Sequence, residues 1–80
     1  MAREQVQQIA AEMVANVLEV AVAAGEHVEV GDTVVLLESM KMEVAVLASQ
    51  PGRVKTVVVK AGGRVSAGQP LLILDGEDAQ

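Results

Sequence analysis

Apolar positions over residues 3–22 fall at helical spacing. Val6, Ile9, Ala10, Met13, Val17, Leu18 and Ala21 recur every three or four residues, as one face of a helix would. An internal repeat overrides that local pattern. The stretch "VLEVAVAAGEHVEVGDTVVLLE", from Val17, aligns with "VKTVVVKAGGRVSAGQPLLILD", from Val54, at a constant offset of 37. Val17, Val20, Val22, Gly25, Val28 and Gly31 fall on Val54, Val57, Val59, Gly62, Val65 and Gly68. The second copy carries "VVV" and "LLIL" between Gly-Gly and Gly-Gln-Pro, which reads as short strands, so the first copy is strand as well.

The pattern predicts strands near 9–14, 16–22, 27–30, 33–39, 42–48, 53–60, 64–66 and 70–74, with no connection longer than a few residues. Gly31 and Gly68 stand where tight turns need positive φ, and no glycine belongs to a phosphate-binding loop. Each half is too short to bury its own apolar face. The expected fold is therefore all-β: a flattened barrel or sandwich of two four-stranded antiparallel sheets related by a pseudo-twofold. The domain is expected to span 9–75, with residues 1–8 and 76–80 as flexible termini.

Composition narrows what such a domain can do. Eighty residues make one domain, and an elaborate active site is not expected in it. Without cysteine there is no disulfide or thiolate site, and the lone His27 has no neighbours at metal-ligand spacing, so no metal is expected. A net charge of −5 and the absence of any aromatic residue argue against nucleic-acid binding. No apolar stretch approaches the ~20 residues of a membrane span, and the N-terminus has no apolar signal core, so a cytoplasmic protein is expected. Glu12, Glu19, Glu26, Glu29 and Asp32 read as a solvated acidic surface rather than an acid/base couple.

Candidate chemistry is concentrated in "LLESMKMEV", residues 36–44. The repeat places Met40 and Lys41 at a projecting tip between two strands, bracketed by Met42 and by Glu38 and Glu43. A two-residue hairpin favours a type I′ turn with φ > 0 at both central positions, which Asn and Gly tolerate and Met and Lys do not. Holding each of them there costs on the order of 1 kcal/mol. An isolated Met-Lys-Met is ordinarily a solvated turn beside packing methionines. At a projecting tip, however, alternation leaves at least one methionine on the surface.

"ESMKME" followed about ten residues later by "PGRVKTVVVKAGGRV" resembles the biotin/lipoyl attachment family, and most nearly its stand-alone small biotin carboxyl carrier-like members. The resemblance runs from about Ile9 to Asp75 and leaves no room for the extra thumb of some carriers. It implies that Lys41 is the biotinylated lysine and that Met40 and Met42 flank it for recognition. The implied cofactor is covalent biotin. The implied partners are a biotin protein ligase, a biotin carboxylase and a carboxyltransferase, between which the carrier, itself no enzyme, shuttles a carboxyl group. Ser39 departs from the alanine common in that motif toward the lipoyl pattern, and Met40 departs from the lipoyl aspartate toward biotin. Ala15 and Asn16 replace a glycine common before the first long strand. The alternatives are a lipoyl carrier and an unmodified structural or interaction module of the same fold.

Overall fold

The strands are built largely from β-branched and other aliphatic residues, and no helix occurs among residues 5–76, which the computed structural model describes. The eight strands are β1 (Gln5–Ala10), β2 (Ala15–Val20), β3 (His27–Val28), β4 (Thr33–Ser39), β5 (Met42–Leu47), β6 (Gly52–Val57), β7 (Arg64–Val65) and β8 (Pro70–Gly76). They form two antiparallel four-stranded sheets, β1-β8-β6-β3 and β5-β4-β2-β7. Adding 37 to the bounds of β1, β2, β3 and β4 gives β5, β6, β7 and β8. The same exchange turns one sheet order into the other, and made twice it restores the original, which is the mark of a twofold.

The core obeys this exchange residue by residue. Ala11, Val17, Val28, Val34, Val35 and Leu37 are buried, and so are Ala48, Val54, Val65, Leu71, Leu72 and Leu74, their equivalents in the other half. The loop bonds repeat too. Gly25 N donates to Val54 O at 2.7 Å and Gly62 N to Val17 O at 2.8 Å, so each half closes a turn onto the other half's strand. Neither half can make its backbone bonds or its core alone.

The first strand lies earlier than the apolar pattern suggested. Residues 9–14 were expected to be extended, but β1 covers Gln5–Ala10 and pairs with β8 from Gln5↔Gly76 to Ala10↔Pro70. Ala11 leaves the ladder because its N–H donates to Gln69 O at 2.9 Å while its carbonyl accepts from Gly68 N at 2.7 Å, which turns the chain through 11–14. The expectation that 1–8 is a flexible terminus is therefore corrected for Gln5–Gln8, whose backbone is held in the sheet. Gly76 is likewise the end of β8, and residues 1–4 and 77–80 lie outside those described. The other strands keep their expected places with ends moved by at most three residues: β8 runs two residues further than expected, and β2 and β6 begin one residue earlier and end sooner. Val58–Lys60, for example, falls beyond β6, where the chain leaves one sheet for the other.

Gly68 sits at φ 86, where a Cβ would meet nothing within 4 Å, so an alanine there would suffer only the backbone's own resistance. That cost is roughly 1–2 kcal/mol. Gly68→Ala is expected to lower the thermal midpoint by roughly 5–10 °C on the scaling for small domains, and Gly68→Asn by less. A melt followed by circular dichroism checks this; an unchanged midpoint would mean that the turn relaxes to negative φ.

β1 runs from the Gln5↔Gly76 pair toward the 11–14 turn, where Val14 meets β4. Six residues of strand, at about 3.4 Å each, thus separate the Gln5↔Gly76 pair from the β4–β5 connection. The two lie at opposite ends of the sandwich and are equivalent under the pseudo-twofold.

Candidate functional site

β4 and β5 pair in register up to Glu38↔Glu43 and Ser39↔Met42, which leaves Met40 and Lys41 as the two residues of the connection. Both are left-handed, Met40 at φ 54 and Lys41 at φ 66, and they are the only non-glycine residues at positive φ among those described. The turn that the sequence favours for a two-residue hairpin is thus present, made from two residues ill suited to it. Strained backbone held by well-paired strands is a recurrent feature of functional tips.

The side chains point outward. Met40 is 91% exposed and Met42 67%, and Lys41 is exposed between them with no hydrogen bond or ion pair among the described residues. Two large apolar side chains left in water beside a free amine form a surface suited to being covered. Glu38 and Glu43 face each other directly across the ladder, Glu38 half-buried and Glu43 exposed. Like charges so opposed destabilise a hairpin, and here they bracket its base. All five residues singled out in the sequence, Glu38, Met40, Lys41, Met42 and Glu43, lie on this one hairpin.

Two further features were not visible in the sequence. Ser39 Oγ donates to the Val14 carbonyl at 3.2 Å, tying β4 just below the tip to the 11–14 turn. The partners are 25 residues apart, so no local pattern signals the bond. Across the second sheet, Glu43, Glu38, Asn16 and Arg64 stand in one row through successive pairings of β5, β4, β2 and β7. Of the residues noted as departures, Ser39 bonds beneath the tip through its side chain, and Asn16 lies opposite Glu38 in the ladder.

No general base or nucleophile pair accompanies the amine on the hairpin. What the arrangement can do is present Nζ to an enzyme that brings its own chemistry. The family model for biotin and lipoyl attachment domains, described as "Biotin-requiring enzyme", matches residues 5–74. The chain belongs to this biotin/lipoyl attachment family. Among its relatives, the biotinylated protein TB7.3 homolog of Mycobacterium leprae (strain TN) is 46% identical over 68 residues, which span 85% of this chain and 96% of that one. The biotin/lipoyl attachment protein of Bacillus subtilis (strain 168) is 42% identical over 66 residues, 82% of this chain and 90% of that one. Among solved structures, a single-chain, multi-domain long-chain acyl-CoA carboxylase superposes with a TM-score of 0.85 at 32% identity, over 90% of this chain. The match occupies 7% of that carboxylase.

Proposed function

We propose that the protein is a cytoplasmic biotin carrier, modified on Lys41 Nζ by a biotin protein ligase and visiting in turn a biotin carboxylase and a carboxyltransferase. The observation that carries this is the turn itself: a lysine with no partner among the described residues, held at φ 66 on a two-residue tip between two exposed methionines, in a domain of the biotin/lipoyl attachment family. The residues fit the group, because biotin ends in a carboxylate and Lys41 offers a primary amine that can be approached from several sides. An amide at Nζ removes one positive charge and leaves the protein one unit more negative than −5. Bound biotin would supply the acceptor for a carboxyl group derived from bicarbonate. The chain's part is to hold the attachment point on paired strands, which keeps the four-carbon stem clear of the body. Tethering also raises the group's local concentration at each partner.

Lys41 competes with Lys55 and Lys60. Lys55 lies within β6, at the irregularity between Val54 and Thr56, and Lys60 lies in the crossing between sheets, so neither stands on a narrow tip that a cleft can surround. Lys41→Arg is expected to abolish labelling by a biotin protein ligase, read with streptavidin and by intact mass, while Lys55→Arg and Lys60→Arg keep it. Wild-type protein that accepts lipoate from a lipoate ligase and ignores biotin would overturn the cofactor and leave the carrier role in place. Wild-type protein from its native source with no adduct of either kind would mark an unmodified module.

A further inference from the structure

The two halves share a backbone but not a charge. Residues 23–32 carry Glu26, Glu29 and Asp32 and no Lys or Arg, whereas the equivalent residues 60–69 carry Lys60 and Arg64 and no carboxylate. Position by position, Ala23, Glu26, His27, Glu29 and Asp32 become Lys60, Gly63, Arg64, Ser66 and Gln69. Part of the first loop's charge is structural, since Glu26 Oε1 accepts from Ala23 N at 3.0 Å and Asp32 Oδ2 from Glu29 N at 2.8 Å, where Gln69 Oε1 accepts from Ser66 N in the second loop. The backbone bonds are the same in both, and neither Lys60 nor Arg64 makes a side-chain hydrogen bond or ion pair among the described residues. In a protein of net charge −5, the change makes one loop locally cationic.

That loop is the one beside the hairpin. Residues 60–69 pack on the 11–16 segment through Gly68 N to Ala11 O, Ala11 N to Gln69 O, and the Asn16↔Arg64 and Ala15↔Val65 pairs. The same segment receives the Ser39 hydroxyl at Val14. Arg64 stands in the row of Asn16, Glu38 and Glu43, about 10 Å from Glu38 at the usual strand spacing. Lys60 and Arg64 border a surface cavity of about 480 Å³, floored by Val57, Val59 and Val65. The acidic equivalent, 23–32, instead packs on residues 48–54, away from the hairpin.

Glu38 faces Glu43 across the ladder, so the two strands at the hairpin's base carry like charge. The cation pair lies to one side only, and so distinguishes the two sides of the hairpin by charge. We infer that Lys60 and Arg64 form a docking flank for an acidic patch on the enzyme that encloses the Lys41 hairpin, fixing the orientation in which the tip enters. This rests on the carrier reading above and adds the surface, and its charge, by which a partner aligns the hairpin. Charges at the edge of an interface act chiefly on encounter and orientation, and salt weakens them.

The test uses the full chain and its cognate biotin protein ligase, with initial rates measured over a range of carrier concentrations and ionic strengths. Lys60→Glu/Arg64→Glu is expected to raise the KM for the carrier about tenfold with kcat nearly unchanged, and to flatten the rise of KM with salt. Ala23→Glu, at the pseudo-twofold equivalent of Lys60, is expected to leave KM within twofold of wild type. Because all three positions are exposed, the variants should keep the wild-type melting curve. A double variant with wild-type KM and salt dependence, on a wild-type protein that is labelled normally, overturns the docking flank and leaves the carrier reading intact. A wild type that is not labelled overturns the carrier reading, and the flank with it. Salt-sensitive self-association of the wild type, lost in the double variant, would assign the cations to a second copy of this chain and overturn the enzyme as their partner.

Discussion

Replacing Met40 and Lys41 by Asn-Gly is expected to make the protein more stable while abolishing its modification. Both residues hold a left-handed conformation, φ 54 and φ 66, that costs an L side chain roughly 1–2 kcal/mol. Asn tolerates that region and Gly has no Cβ to oppose it, so the swap relieves about 2 kcal/mol in all. For a domain of this size that corresponds to roughly 10 °C in the thermal midpoint. Little is lost in exchange, since Met40 is 91% exposed and Lys41 has no partner among the described residues. Met40→Asn alone keeps the lysine and should recover about half the gain. A fall in the midpoint of the double variant would show that the pair stabilises the hairpin, and the view of the tip as strained for presentation would be wrong.

Leu72→Ala should act in the opposite direction and more strongly. Leu72 is 0% exposed and lies in β8, the strand between β1 and β6, opposite Ile9 on one side and Val57 on the other. Truncating a buried leucine costs roughly 2–5 kcal/mol, through lost burial and the cavity left behind. A domain of 80 residues has about 4–12 kcal/mol to lose. The midpoint is expected to fall by roughly 15–25 °C in a calorimetric or circular dichroism melt. Leu47→Ala, at a position 51% exposed on the edge strand β5, should stay within about 0.5 kcal/mol of wild type. Equal effects at the two positions would mean that the core does not lie where the strand pairing puts it.

The sequence disclosed its fold through the repeat rather than through propensity. Val17 and Val54, or Gly31 and Gly68, are informative because two copies must adopt one conformation, and that requirement outweighs the helical spacing of Ile9, Met13 and Val17. The spacing is an accident of β1, the 11–14 turn and β2 read as one segment. β1 was misplaced because Met13 and Val14 look extended on their own, while Gln7 and Gln8 look like a polar tail; their pairing with Leu74 and Ile73, some 65 residues away, settles the matter. The offset held that information, since 42–47 less 37 is 5–10 and would have located β1. The hairpin's geometry was legible because it depends on register and on two φ values. The Ser39 bond to Val14 and the closeness of residues 60–69 to the hairpin were not, because each depends on how the two halves wrap around one another.

The pseudo-twofold also bears on the chain's own topology. Ser39 and Met42 are joined by two residues, and their equivalents are Gly76 and Gln5, which already face each other in the ladder. Two residues would therefore suffice to join Gly76 to Gln5, and the strand pattern would become a closed ring with a hairpin at each pole. Viewed as a ring, the molecule has two equivalent poles, one carrying a lysine and the other standing between Gln5 and Gly76. Folding physics treats both poles alike. What sets them apart is that β4 and β5 are joined through Met40 and Lys41 at one pole, whereas Gly76 and Gln5 only face each other at the other.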